Sequence, residues 1–293
     1  MADPIALAAA LPRPLAYVLG GGASYGAVQV GMLQALAETD LRPDLVVGTS
    51  VGSLNGAVLA EEPHSAGHRL PYLWSGLNRD TVFPTKVRDA YATVRGRPYL
   101  VDPGPLTSLL VGSLQARTFA DLDVPLVAVT ADLDTGTVVP VDRGDLATAL
   151  LASAAIPGVF PWVERDGRRL VDGGVLANVP VSVALDRGAR SVVVLDCGFV
   201  VSQPRRTDTF LGVLLQTAAV MTAHQVRYDL RRAADAGVPV LYLPGPWPIG
   251  SPPYSFERTA ELAQAAYALS SEFLRTLRVD GGRVYGTPPG TVT

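Results

Sequence analysis

Two short apolar runs, LAYVLG (15–20) and LVVGTS (45–50), each hand over to a segment of helical period, AVQVGMLQALAE (27–38) and VGSLNGAVLAEE (51–62). A strand, a helix and a second strand return to one sheet as parallel neighbours, so these 62 residues commit the chain to βα units. The alternation continues downstream. VPLVAVTADLD (124–134) reads as a strand with TGTVVPVD as its hairpin partner, and GDLATALLASAA (144–155) as a helix. WVERDGRRLVDGG reads as a hairpin turning at Asp166-Gly167, followed by a helix around VPVSVALDRG and the strand SVVVLD (191–196). A helix over 209–237, the strand VPVLYLP (238–244) and a helix over 256–278 complete the pattern. The expectation is an α/β fold with three layers, α/β/α, around a mainly parallel central sheet.

Residues 63–118 interrupt this regularity, with prolines at 63, 71, 84, 98, 103 and 105 and the aromatics Tyr72, Trp74, Phe83, Tyr91 and Tyr99, which read as exposed. So long a segment between core elements reads as an insertion with the character of a lid or binding loop, its aromatics and prolines candidate walls of a channel. The core then runs over 16–187, residues 188–285 add the remaining strands and helices of the same domain, and 1–13 and 286–293 read as flexible tails. With 293 residues, 48% of them hydrophobic, a sizeable core is expected.

A formal charge of −3 with no long block of one sign offers no footprint for a polyanion, so nucleic acid is not an expected partner. Cys197 is the single cysteine, which excludes an intrachain disulfide and reads as a buried thiol. Neither a metal nor a cofactor is expected. The start, MADPIALAAALPRP, has an acidic lead that fits a secretory signal poorly, so a cytoplasmic location is expected. No apolar run reaches the roughly 18 residues of a membrane span, although contact at a membrane surface stays compatible with the sequence.

The chemistry concentrates at the two strand-to-helix joints. Gly48-Thr49-Ser50-Val51-Gly52 is a G-x-S-x-G match between a strand and a helix, the setting of a nucleophile elbow in which flanking glycines permit a tight turn. A serine that attacks an acyl carbonyl needs amide donors for the oxyanion, and Gly20-Gly21-Gly22-Ala23, at the end of the neighbouring strand, can supply them. A phosphate or dinucleotide loop is the competing reading of the same residues, with Gly20, Gly22 and Gly26 as the fingerprint and Asp40 or Asp44 as the ribose ligand. The base has two candidates. Asp172, in LVDGGVLANVPV (170–181), follows an apolar strand and precedes Gly173 and Gly174, which would give the turn positive φ and let the carboxylate reach the serine. His224 would complete a Ser-His-Asp order, while His64 and His68 lie in the insertion.

Taken together and in this order, GGGASYGAVQVGMLQAL, GTSVGSLNGA, ASAAIPGVFP and VDGGVLANVPV resemble the patatin-like phospholipases, in particular their bacterial branch, over about residues 16–187. The resemblance implies a hydrolase of acyl lipid esters, (lyso)phospholipids among them, that works through an acyl-enzyme with a Ser-Asp dyad and no catalytic histidine. It carries the nucleophile onto Ser50, the proton acceptor onto Asp172 and the oxyanion hole onto Gly21, Gly22 and Ala23, with Gly20, Gly26, Gly48, Gly52, Gly173 and Gly174 as supporting motif positions. Ala154, Ala155, Ile156, Pro157, Gly158 and Phe160 match a stretch that packs near the dyad in relatives and is expected to be structural. The departure lies in the glycine loop. Where the family has Gly-Gly-Gly-x-Arg-Gly this chain has Gly21-Gly22-Ala23-Ser24-Tyr25-Gly26, so an alanine replaces the third glycine and a tyrosine the arginine. The loop keeps its donors if φ at Ala23 is negative. Tyr25 gives weight to a catalytically silent scaffold as a further reading.

Overall fold

The computed structural model describes Leu7 and residues 10–84, 99–198, 210–278 and 284–286. The strands are β1 (Leu15–Leu19), β2 (Leu45–Thr49), β3 (Leu126–Asp132), β4 (Thr137–Val141), β5 (Val163–Arg165), β6 (Arg168–Asp172), β7 (Ser191–Leu195), β8 (Val240–Tyr242) and β9 (Val284–Tyr285). They form one sheet in the order β5-β6-β3-β2-β1-β7-β8-β9, with β4 also paired to β3. Pairing is parallel from β3 through β2, β1, β7 and β8 to β9, and antiparallel where β3 meets β4 and β6 and where β5 meets β6. The mainly parallel sheet expected from the βα rhythm is therefore present, extended by two hairpins at one edge.

Successive residues of a strand point to opposite faces, and both faces here are apolar. Leu15, Tyr17 and Leu19 enter one core cluster while Ala16 and Val18 enter the other. Helices α1 (Ala27–Ala37) and α2 (Val51–Glu61) cover the first face, with α3 (Ala66–Ser75), α4 (Arg79–Val82), α5 (Gly104–Ser113) and α6 (Leu146–Ser153). Two further helices, α7 (Val181–Asp186) and α8 (Phe210–Asp235), cover the second, and α9 (Thr259–Thr276) returns to the first. The result is the α/β/α arrangement. Helices α1 and α9 cross at backbone distance: a Cβ on Gly31 would lie 1.9 Å from the carbonyl oxygen of Ala263.

The segment 63–118 is more regular than its prolines suggest, since it contains α3, α4 and α5. Pro71 lies inside α3, where a proline normally reads as a breaker. Of the aromatics expected to be exposed, Tyr72 is 79% accessible, but Trp74 is only 7% accessible and Phe83 stacks on Phe160 at 5.8 Å. Tyr91 lies outside the described residues. The Asp166-Gly167 turn has the expected mirror-image backbone, with φ of 50° and 73°. β9 was not foreseen, because two residues carry no periodicity. Ahead of β1, Leu11 is buried and Arg13 is bound to Asp44, whereas of 286–293 only Gly286 is described.

One feature of register positions the site. Strand β4 pairs with β3 along 128–132, so β2 and β6 must share the other edge of β3, end to end. On that edge Thr49 pairs with Val129, and the next position, Thr130, pairs with Asp172. The residue that follows Thr49 is Ser50.

Candidate active site

Ser50 caps α2 with φ 54° and ψ −127°, a left-handed conformation that non-glycine residues adopt at a cost. The surroundings leave it little choice. Its carbonyl accepts from Ser53 N at 2.8 Å and Ser53 Oγ at 2.7 Å, and its N–H donates to Ser153 Oγ at 3.0 Å, which in turn donates to Val129 O at 2.7 Å. The flanking glycines serve close approach: a Cβ on Gly48 would lie 2.5 Å from Gly52 O, and one on Gly52 would lie 2.3 Å from Leu19 O. Gly26 has the same function between helix starts, its Cβ position lying 2.4 Å from a methyl of Val51.

Asp172, at the end of β6, is 5% accessible, and the Ser50 side chain lies close enough to it to favour its charged form. Its Oδ1 accepts from Gly174 N at 2.7 Å, and its own N–H donates to Ala155 O at 2.9 Å. Burial pushes its pKa up to about 6, against the opposing pull of the Ser50 side chain and the Gly174 N–H. The carboxylate is therefore a stronger base than an exposed one. The two glycines after it do not have the positive φ expected of them. They open a 3-10 turn over Gly173–Val175, and glycine is needed there for space, since a Cβ on Gly173 would lie 2.3 Å from Val129 O and one on Gly174 2.9 Å from Asn178 Oδ1.

The glycine loop corrects the expected donor set. Gly20 N donates to Leu195 O and Gly21 N to Asn178 O, each at 3.0 Å, so Gly21 has no N–H to offer an oxyanion. Among the described residues, the N–H groups of Gly22 and Ala23 have no protein acceptor. Ala23 has φ 51°, so the condition of a negative φ is not met, yet its amide stays free. The loop is held without the family's arginine: the Tyr25 hydroxyl donates to Ser251 O, and Ser24 N donates to Pro253 O at 2.9 Å. Tyr25 is fully buried, and burial, reinforced by Tyr254, pushes its phenol up to about 12.

Ser50 and Ala23 line a cavity of about 840 Å³, counted with its open mouth. Leu70, Trp74 and Phe83 line it from α3 and the segment after α4, and Leu106 and Leu110 from α5. Ala154, Ile156 and Phe160 complete the wall on the side of Asp172. The walls supplied by 63–118 are thus largely leucine, with Trp74 and Phe83 as their aromatic members.

Other candidates lie elsewhere. His64, His68 and His224 are exposed and none lines the cavity; α8, which bears His224, packs on the sheet face opposite to α2. Asp44 accepts from Leu15 N at 2.6 Å at the start of β1, the far end of the strand from the glycine loop, so it is not placed as a ribose ligand. Asp40 likewise precedes β2. Cys197 is fully buried, with its thiol 3.3 Å from Gly20 O. No group of three metal-ligating side chains exists among the described residues, and none of their helices is long and apolar enough to cross a membrane. Gln29, Asn55, Ser153 and Asn178 brace the site and were not singled out beforehand; Gln29 had a signal, being polar in the otherwise apolar stretch AVQVGML.

A doubly covered α/β sheet with a serine on a strained strand-to-helix turn, beside a buried carboxylate, defines a narrow class of protein. The family model described as Patatin-like phospholipase matches residues 17–185, and the chain belongs to that family. It is 31% identical over 195 residues to mouse patatin-like phospholipase domain-containing protein 7, which covers 63% of this chain and 14% of that protein. The human patatin-like phospholipase domain-containing protein 6 gives 31% over 195 residues, 63% of this chain and 13% of the other. Lysophospholipase NTE1 of Mycosarcoma maydis is 28% identical over 206 residues, 67% of this chain and 10% of that one. The chain thus spans a small part of the length of these relatives. The crystal structure of VipD from Legionella pneumophila superposes with a TM-score of 0.48 at 14% identity, covering 90% of this chain and 67% of that one.

Proposed function

We propose that the protein hydrolyses carboxylic esters of acyl lipids, lysophospholipids among them, through a Ser50 acyl-enzyme with Asp172 as the base. The observation that carries this reading is a buried Asp172, its pKa raised to about 6, beside a Ser50 that lines an apolar cavity. The name of the lysophospholipase among the relatives agrees with a lysophospholipid substrate. The histidines, all exposed, offer no rival base.

In this reading the acyl chain lies along the leucines of α3 and α5 and the ester carbonyl sits over Ser50. Oγ attacks the carbonyl carbon as its proton passes to Asp172, and the carbonyl oxygen takes the negative charge opposite the N–H groups of Gly22 and Ala23. Collapse breaks the ester bond, and the leaving alkoxide takes the proton from Asp172. Water then attacks the acyl-enzyme, Asp172 accepts a proton from it, and the return of that proton to Ser50 frees the fatty acid. Residues 63–84 and 99–118 act as the wall and lid of the acyl channel, residues 85–98 lying outside the described ones. Substrate reaches it from a membrane surface or micelle, which makes peripheral membrane contact part of the proposal.

The test is the intact mass after incubation with a fluorophosphonate, together with turnover of p-nitrophenyl acyl esters. One adduct on the wild type and none on Ser50→Ala, with His224→Ala retaining turnover, is the expected result. Full turnover by Ser50→Ala, or loss of turnover in His224→Ala, would overturn it.

A further inference from the structure

The geometry points to Gln29 as a positioning residue that holds the oxyanion loop from behind; this rests on the reading of Ser50 and of the Gly22 and Ala23 amides given above. Gln29 is a fully buried polar side chain in α1. Its Nε2 donates to Gly20 O at 2.8 Å and to Leu195 O at 3.0 Å. Its Oε1 accepts from Asn55 Nδ2 at 2.9 Å, and Asn55 Oδ1 accepts from Trp74 Nε1 at 2.9 Å.

The direction of this chain is dictated from one end. An indole N–H can only donate, so it fixes which end of the Asn55 carboxamide it meets, and Asn55 must then present its NH₂ group. Gly26 O, also an acceptor, takes a second bond from that group at 3.1 Å and enforces the same orientation. Gln29 must therefore turn its oxygen to Asn55 and its NH₂ group to the two carbonyls.

The peptide joining Gly20 to Gly21 is thereby gripped at both ends: its C=O is held by Gln29, and its N–H is held by Asn178 O at 3.0 Å. Without side chains at Gly20, Gly21 and Gly22, the peptides that follow are set by their own hydrogen bonds, Asn178 Nδ2 to Gly21 O at 3.3 Å and Tyr25 N to Gly22 O at 3.1 Å, and by the peptide plane they start from. Gln29 fixes that starting plane, and with it the course of the peptides that carry the unpaired N–H groups of Gly22 and Ala23. A loop whose donors are set before charge develops stabilises the transition state without reorganising, so Gln29 contributes to kcat and not to ground-state binding. Leu195 O gains the same grip on β7, which ties the loop to the sheet.

The experiment compares wild type with Gln29→Leu, which deletes both donors, and Gln29→Glu, which preserves size and the acceptor for Asn55 but turns an oxygen toward the carbonyls. Three quantities are measured: steady-state kinetics on p-nitrophenyl octanoate, inhibition by an octyl trifluoromethyl ketone, and inhibition by the matching methyl ketone. The fluorinated ketone adds Ser50 Oγ across its carbonyl, the hydroxyl proton passing to Asp172 and the oxygen becoming an oxyanion; the methyl ketone reads the cavity alone. Both variants should lose about 10- to 100-fold in kcat, less than deletion of an oxyanion donor outright, with KM within about twofold. Affinity for the trifluoromethyl ketone should fall by the same factor as kcat/KM, and that for the methyl ketone should not change. Should Gln29→Leu fail to fold, Gln29→Glu decides alone. The inference is overturned if a folded variant keeps wild-type kcat, or if affinity for both ketones falls in parallel. Wild-type enzyme that neither turns over the ester nor forms the ketone adduct would instead overturn the hydrolase reading, and this inference with it.

Discussion

Three residues of the site stand in conditions that a stable protein avoids. Ser50 and Ala23 have left-handed φ of 54° and 51°, and Asp172 is a carboxylate 5% accessible with no cation among its hydrogen-bond partners. The pKa of Asp172 rises from 3.8 to about 6 on folding, so below the lower value the group is neutral in both states and costs nothing. Between the two values the unfolded chain ionises first and stability falls; above about 6 the loss is complete, on the order of 3 kcal/mol. Asp172→Asn is therefore expected to raise the melting temperature by several degrees at pH 8 and by little at pH 4, while turnover drops roughly 10²- to 10⁴-fold. Calorimetry at the two pH values, with ester kinetics on the same samples, checks both. In the wild type, kcat/KM should fall tenfold per unit as pH drops below about 6, because only the carboxylate form of Asp172 accepts the proton.

At the scale of elements, the crossing of α1 and α9 is set by the absence of one side chain. Gly31→Ala would drive a methyl group to within 1.9 Å of Ala263 O and force the helices apart, so a loss of about 1–3 kcal/mol is expected in urea unfolding, against a gain for the same change in a free helix. Nothing in the sequence separates Gly31 from a helix glycine that tolerates alanine, because the reason lies in another helix. Local signals fared better. The Asp166-Gly167 dipeptide announced its turn, and the short apolar runs announced β1, β2, β3 and β7 to within a residue or two at each end. Helix α3 was hidden by Pro71, and α5 by a leucine-rich sequence, GPLTSLLVGS, that serves a cavity wall instead of an amphipathic surface. The strand-end positions of Ser50 and Asp172 were legible because glycines stand beside each of them, Gly48 and Gly52 around the serine and Gly173 and Gly174 after the aspartate. The choice among Gly21, Gly22 and Ala23 was not, since it depends on whether Asn178 O occupies an amide.

For the whole molecule, the sheet divides the labour. One face carries the short α7 and the long α8, while the other carries α1, α2 and the three helices of the insertion, which enclose the cavity. Leu110→Trp should fill part of the cavity and lower kcat/KM for a dodecanoyl ester by about tenfold or more relative to a butanoyl ester, in line with the 1–3 kcal/mol that one methylene contributes in an apolar pocket. A chain-length series of p-nitrophenyl esters, read against wild type, checks this.

Strands β2 and β6 meet end to end along one edge of β3, and only that pairing brings the serine and its carboxylate together. In the proposed mechanism, a nascent chain emerging from the ribosome holds its nucleophile long before it holds a base. On that reading the polypeptide is mute toward acyl esters until β6 has docked, and completion of the sheet is what switches its reactivity on.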